Sequence, residues 1–194
     1  MSGPAPAEAE RLLAIARGSF AHGLELGRAL EIDLAAEPLV LRVPGASFVT
    51  LRTPDAALRG CVGSLEPLCA LAEDVAENAF RAAFEDPRFE PVRVGEADRL
   101  EVSVSILGAP ERLEASSVET LALQLRPGRD GLILCQGARR ATFLPEVWAS
   151  LPEARAFVRA LERKAGIASW SDPVEAFRYA ITVLGGRAAD AGRA

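Results

Sequence analysis

The stretch SFVTLRTPDAALRGCVG, residues 47–63, decides the first part of the fold. Apolar and polar residues alternate on both sides of TPDA, and this pattern around a proline-containing turn is typical of a β-hairpin. We therefore expect one strand near residues 47–52, a turn, and a second strand over residues 57–62. The second strand would present a cysteine between two glycines.

Two amphipathic helices are expected around this hairpin. The first spans residues 8–31, where apolar side chains recur at spacings of three and four. The second spans residues 67–84, with Pro67 in its first turn, where the missing N–H does no harm. Its inward positions share small or aliphatic side chains: Leu68, Leu71, Ala72, Val75, Ala79 and Ala82.

The rest of the chain mixes strands and helices without regular alternation. The patterns predict a strand at residues 99–107, a hairpin turning at 136–138, a helix at 151–165 and a closing strand at 177–184. Hairpins mixed with helices indicate the α+β class, here an antiparallel β-sheet with flanking α-helices.

Length and composition place the chain among soluble globular proteins. It has 194 residues, 49% hydrophobic and 25% charged, and a net charge of −5. The length suits one domain, or one domain with two lobes. Residues 1–7 and 187–194 are expected to be flexible tails around a domain at 8–186.

Charge and hydropathy argue against two classes of partner. The negative net charge disfavours general nucleic-acid binding, which requires concentrated Lys and Arg. No apolar run approaches the roughly 20 residues that span a bilayer, and the N-terminus lacks a signal-peptide pattern. We therefore expect a cytoplasmic protein that is not in a membrane.

Three cysteines and one histidine limit the chemistry. Three cysteines cannot form a complete disulfide framework, and their spacing does not suggest zinc. The sequence therefore predicts free thiols and no metal site, and it identifies no cofactor.

Residues 59–64 form the first candidate site. Arg59 and Cys61 are two apart on a strand and should share a face, where a guanidinium would favour the thiolate. The following helix N-terminus would add positive potential. Gly60 and Gly63 would cradle a ligand with their amides, and Ser64 would cap the helix. The alternative is that the glycines shape a bend while Cys61 packs as a small hydrophobe and Arg59 is solvated.

Three further residues are candidates for lining the same cleft. Asn78 lies on the expected helix 67–84, and Glu101 and Ser103 lie on the polar face of the expected strand 99–107. For Asn78 the alternative is a capping or pairing role, and for the two strand residues it is a solvated strand face.

Five ordered blocks resemble the AMMECR domain family, whose prokaryotic members are called AmmeMemoRadiSam system protein A. The blocks are FVTLRTPDAALRGCVGSLEP, VAENAFRAAFEDPRF, LEVSVSIL, RPGRDGLILCQGARRATFLPEVW and KAGI. The family's Arg-Gly-Cys-Ile-Gly-Thr signature falls on residues 59–64, with Val62 for Ile and Ser64 for Thr. The resemblance implies a single two-lobed α+β domain with a cleft beside Cys61. It also implies Memo-like and radical-SAM protein partners.

Three functional hypotheses follow. The first is an enzyme or enzyme subunit in which Cys61 is the thiolate nucleophile or attachment point, and Arg59 activates it or holds a small anionic ligand. The second is a non-catalytic protein that binds a ligand or acts as an adaptor. The third and weakest is an association with RNA or nucleotides through a basic patch at Arg139 and Arg140.

Overall fold

The computed structural model describes residues 4–186, which form two compact units. Unit 1 comprises residues 4–107 and 182–186, and unit 2 comprises residues 108–181. Each unit contains its own four-stranded sheet and its own helices. The α+β class is therefore confirmed, with two antiparallel sheets where the sequence suggested one. The expected tail at 187–194 lies outside the described residues.

Unit 1 is built on a sheet with strand order β2-β1-β3-β8. Its strands are β1 (Ser47–Arg52), β2 (Leu58–Gly63), β3 (Glu101–Leu107) and β8 (Ile181–Gly185). Its helices are α1 (Pro6–Leu26), α2 (Leu39–Arg42), α3 (Leu71–Phe84) and α4 (Val94–Ala97).

One face of this sheet forms the core of unit 1. Val49 and Leu51 of β1 and Val104 of β3 are fully buried, as the alternating sequence predicts. The helices α1 and α3 supply the other half of the core through Ile15 and Val75. The alternate residues of β1, β2 and β3 therefore lie on the opposite face, where most remain partly exposed.

Unit 2 has strand order β4-β7-β5-β6. Its strands are β4 (Glu111–Leu113), β5 (Gly131–Gln136), β6 (Arg139–Phe143) and β7 (Glu175–Tyr179), and its helices are α5 (Val118–Ala122) and α6 (Ala154–Ala165). A separate core includes the stacked rings of Trp148 and Phe157, whose centroids are 3.8 Å apart. The helix α6 ends at Gly166, which adopts the left-handed conformation that favours glycine.

Both helices expected near the hairpin have different limits. The helix α1 spans 6–26 rather than 8–31, because Gly27 adopts the left-handed conformation and ends it. The helix α3 begins at Leu71, and Leu68 is 84% exposed. The backbone before α3 forms hydrogen bonds with residues 43–45 instead of a helical turn. The Gly45 N–H donates to the Cys69 carbonyl, and the Leu71 N–H donates to the Val43 carbonyl.

The expected closing strand at 177–184 is two strands. Residue Ala180 separates β7, which pairs in the sheet of unit 2, from β8, which belongs to the sheet of unit 1. The residues FRYAITVL do not show this division, because residues that favour strands continue from β7 into β8 with no glycine or proline between them.

Within residues 4–186, no helix is both long enough and apolar enough to cross a bilayer.

Candidate functional site

The Cys61 side chain lies on the partly exposed face of the unit 1 sheet. Thr50 of β1 stands directly opposite Cys61 of β2 and, on its other side, directly opposite Ser103 of β3. The three residues therefore form one row across three strands. The Thr50 hydroxyl donates a hydrogen bond to the Cys61 sulfur, with Oγ1 and Sγ 3.1 Å apart.

The backbone of Cys61 is held from the open side of the sheet. Because β2 is an edge strand, some of its N–H and C=O groups point away from β1. The Cys61 N–H donates to Asp86 Oδ2 at 2.8 Å, and Arg88 Nη2 donates to the Cys61 carbonyl at 3.1 Å. The segment after α3 thus covers this part of the edge and fixes Cys61 in position.

Asp86 and Arg88 form an ion pair beside the thiol. Arg88 donates through Nε to Oδ1 at 2.9 Å and through Nη2 to Oδ2 at 2.6 Å. The Asp86 side chain is only 2% exposed. Hydrogen bonds from Arg88 hold the pKa of Asp86 well below its usual range, against the effect of burial.

The negative charge of a Cys61 thiolate would in turn stabilise the Arg88 cation. Hydrogen bonding to Asp86 is the main cause of the raised pKa of Arg88, and the charge of the Cys61 thiolate contributes to it. A guanidinium therefore stands close enough to Cys61 to interact with it electrostatically. This cation was predicted to be Arg59.

The Arg59 guanidinium is engaged by another carboxylate. It donates through Nε and Nη2 to Glu96, at 3.0 and 2.7 Å, and its side chain is 15% exposed. This pairing raises the pKa of Arg59 and lowers that of Glu96. The Arg59 and Arg88 guanidinium carbons lie 6.0 and 5.5 Å from the centre of the Phe89 ring. Arg59 thus contributes to the surroundings of the site and, like Arg88, is paired with a carboxylate.

Gly60 and Gly63 permit close packing. A Cβ on Gly60 would lie 2.0 Å from the Ala82 carbonyl oxygen of α3, and one on Gly63 would lie 2.3 Å from the Phe48 ring. Both glycines have ordinary negative or extended φ, since neither is among the described residues with positive φ. Packing explains these glycines without a ligand.

The expected helix N-terminus does not lie at Cys61. Gly60, which precedes Cys61 in β2, packs against the backbone of Ala82 in the last turn of α3, and Asp86 follows the end of that helix. The prediction of positive potential from the α3 N-terminus is therefore wrong, because residues 64–70 are not helical. The guanidinium of Arg88 is the positive charge at this position instead.

Ser64 and Asn78 belong to a buried network. The carboxylate of Asp74 accepts hydrogen bonds from the hydroxyls of Ser47 and Ser64 and from Asn78 Nδ2, the last at 3.0 Å. The N-cap of α3 is Ala70, so the prediction of Ser64 as a cap is wrong. Burial raises the pKa of Asp74, although these hydrogen bonds oppose the shift. This network joins the start of β1 and the end of β2 to α3.

Of the residues predicted to line the site, Ser103 lies in the row of Cys61 and Glu101 lies one step along the same face. Glu101 stands opposite Arg52 of β1. Sequence reasoning missed Thr50 as the partner of the thiol. Symmetric pairing about TPDA would place Thr50 opposite Arg59. A shift of register between Leu51 and Arg52 brings Cys61 to that position instead, so the sequence carried no direct signal for this pair.

No group of three or more His, Cys, Asp or Glu side chains in residues 4–186 is arranged to hold a metal ion. The single histidine, His22, lies in α1, and its Nε2 atom is buried with no hydrogen-bond partner among the residues that the structure describes. The chemical features at Cys61 are a thiol, two hydroxyls and the Asp86–Arg88 ion pair, on a partly exposed sheet face.

Comparison of the sequence with known proteins identifies the family to which the chain belongs. The AMMECR1 family model matches residues 13–184. The chain is 35% identical over 156 residues to a Thermotoga maritima protein, covering 80% of this chain and 86% of that one. It is 38% identical over 146 residues to a Methanocaldococcus jannaschii protein, covering 71% of this chain and 72% of that one.

A solved structure agrees with these sequence matches. The crystal structure of an uncharacterized Pyrococcus horikoshii protein superimposes with a TM-score of 0.81 at 31% identity, covering 91% of this chain and 90% of that one. The chain therefore belongs to the AMMECR1 family, as the five sequence blocks indicated.

Proposed function

We propose that this protein is an enzyme or enzyme subunit whose chemistry is carried by the Cys61 thiolate. The observation that carries the proposal is the hydrogen bond from Thr50 Oγ1 to the Cys61 sulfur, 3.1 Å long, on a partly exposed sheet face. A hydroxyl that donates to sulfur stabilises the thiolate, which is the nucleophilic form of cysteine. Cys61 would attack an electrophilic substrate or serve as a point of covalent attachment.

Arg88 is the cation in this proposal. Its side chain is 53% exposed, although it also contacts Asp86 and the Cys61 carbonyl. An exposed guanidinium beside a nucleophile would hold a carboxylate or phosphate group of a small anionic substrate. Ser103, which completes the row with Thr50 and Cys61, would offer a further hydrogen bond to the substrate.

The test is the pH dependence of alkylation of Cys61 by iodoacetamide, followed by peptide mass spectrometry. We expect an apparent pKa of Cys61 below the free-thiol value of about 8.5. Thr50→Val should raise that pKa by about one to two units, because a hydrogen bond to a charged group contributes roughly 1.5–3 kcal/mol and one unit corresponds to about 1.4 kcal/mol.

Arg88→Gln tests the contribution of the cation to the pKa of Cys61, and Arg59→Gln is the matched control. Arg88→Gln should raise the apparent pKa of Cys61 more than Arg59→Gln does, because both arginines pair with a carboxylate but only Arg88 also donates to the Cys61 carbonyl. A wild-type value at or above about 8.5 would refute the activated thiol.

The second candidate is a non-catalytic adaptor that binds a Memo-like or radical-SAM partner in the cytoplasm. It is favoured by the packing role of Gly60 and Gly63, which accounts for two residues of the signature without a substrate. In that case, a tagged protein should co-purify such a partner from cells, and Cys61→Ser should leave the complex intact. Loss of the complex on this conservative change would favour the thiol-dependent function.

A further inference from the structure

A second place in the molecule has the features of a ligand site, and it lies entirely within unit 2. At one end of the unit 2 sheet, the β5–β6 turn, the start of β4 and the loop before β7 surround a depression of about 620 Å³. Ligand sites for small molecules usually occupy about 300–1,000 Å³. The depression is therefore large enough for a small organic molecule.

The walls of this depression are held in place by polar contacts. Gln136 Nε2 donates to the carbonyl of Ser169 at 2.9 Å and to that of Asp172 at 3.3 Å, which ties the loop before β7 to the end of β5. Arg112 bridges Glu114 and Glu175, at 3.3 and 3.2 Å. Both walls are thus arranged before any ligand arrives, which lowers the entropy lost on binding.

Two opposite charges remain uncompensated in the depression. Arg139 and Asp172 both line it and are both exposed. In the part of the chain that the structure describes, neither side chain forms a salt bridge, either with the other or with a third residue. Arg112 pairs with Glu114 and Glu175, so among the described residues that line the depression Arg139 and Asp172 are the charged groups that form no ion pair.

We propose that this depression binds a small zwitterion, whose carboxylate pairs with Arg139 and whose ammonium group pairs with Asp172. A simple anion would pair with Arg139 but would be repelled by Asp172. A simple cation would pair with Asp172 but would be repelled by Arg139. Free amino acids and short peptides carry both charges. Charge pairs at exposed positions are weak, so the affinity belongs in the millimolar range, at about 1 mM. The proposal does not depend on Cys61.

The test is an NMR titration of the full chain with glycine, glycylglycine and triglycine. This series places the ammonium and carboxylate groups progressively farther apart, so it samples the separation of Arg139 and Asp172. We expect at least one of the three to shift the amide resonance of Gly137, in the β5–β6 turn, saturably below about 10 mM. If none of the three does so, the proposal is wrong.

Blocked forms of the best ligand separate a zwitterion site from a simple ion site. Its N-acetyl derivative keeps only the carboxylate, and its methyl ester keeps only the ammonium group. We expect each to bind roughly two- to five-fold more weakly than the parent, since an ion pair at an exposed position contributes only that much. If either blocked form binds as well as the parent, the zwitterion proposal is wrong and the site recognises a single charge.

Two variants and a thiol reporter locate the binding. Arg139→Gln and Asp172→Asn should each weaken binding roughly two- to five-fold, whereas Arg163→Gln, which changes an exposed arginine on α6, should not. Cys135 lines the depression and Cys69 lies in unit 1, so bound ligand should slow alkylation of Cys135 but not of Cys69. If the ligand leaves the alkylation rate of Cys135 unchanged, it binds elsewhere and the proposal is wrong.

Discussion

Replacing Gly60 with alanine tests why a glycine precedes Cys61. The added Cβ would lie 2.0 Å from the Ala82 carbonyl oxygen, whereas real Cβ atoms essentially never come within 3.0 Å of another heavy atom. The strand β2 and the helix α3 must therefore separate by about 1 Å. The obstructing atom belongs to the helix backbone, so it cannot rotate away as a side chain would.

The expected loss of stability follows from this geometry. Overpacking in a core costs about 1–3 kcal/mol, and the rigid neighbour places Gly60→Ala near 3 kcal/mol. For a chain of this size, that corresponds to a decrease of about 6–12 °C in Tm. Thermal and urea denaturation of the purified variant would measure it.

Gly95→Ala is the matched control for this prediction. Apart from its chain neighbours and the backbone of its own helix, no described residue has an atom within 4 Å of a Cβ placed on Gly95, and the φ of Gly95 is not positive. This variant should be unchanged or more stable by about 0.4–1 kcal/mol, because alanine reduces the entropy of the unfolded chain. If Gly60→Ala unfolds at the wild-type midpoint, close packing is not the reason for this glycine, and ligand approach becomes the better explanation.

Two buried carboxylates make opposite predictions for the pH dependence of stability. Asp86→Asn should lower the free energy of unfolding by about 3 kcal/mol at pH 7, since the change leaves part of a charged network unpaired. The pKa of Asp86 is lower in the folded state than in the unfolded chain, so the difference in stability between wild type and variant should be complete above about pH 4 and shrink as acid protonates Asp86. Urea titrations at pH 7 and pH 3 would measure this difference, and an equal value at both pH values would contradict the prediction. Asp74 has a raised pKa, so its ionisation should make the wild type lose stability as the pH rises above about 4, until the carboxyl is fully ionised. Asp74→Asn, whose amide can still bond Ser47, Ser64 and Asn78, should lack this decline, and a wild-type slope in the variant would show that Asp74 is not its source.

The first hairpin was predictable because local rules determine it. Alternation around TPDA defines both strands, and the structure has β1 and β2 within a residue of the expected limits. The strand β3 and the second hairpin follow the same rule. The short elements β4 and α5 were not predicted. They have three and five residues, which are too few to show the periodic pattern of apolar residues that identifies a strand or a helix.

Helix limits depended on contacts that the sequence does not display. Residues 67–70 carry helix-compatible side chains, but the backbone around Cys69 pairs with residues 43–45 and cannot be helical. That single tertiary constraint moved the start of α3 and removed the helix N-terminus from the surroundings of Cys61. The electrostatic argument for the thiol depended on it.

The composition of the candidate site was only half predictable. Strand alternation put Glu101 and Ser103 on the polar face of β3, and the register of the sheet brings Ser103 into the row of Cys61. It could not show that Arg59 pairs with Glu96, or that Arg88 reaches the Cys61 carbonyl, because both contacts join segments more than 25 residues apart. Side-chain pairing of this kind is decided by the assembled fold, not by local spacing.

The division of the closing segment into β7 and β8 has a consequence for protein synthesis. The strand β8 completes the sheet of unit 1 beside β3, yet all of unit 2 lies between them in the sequence. A ribosome therefore releases β3 and the whole of unit 2 before β8 exists. During that interval the growing chain carries an unpaired β3 edge, which is the position where mispairing with another nascent chain would begin.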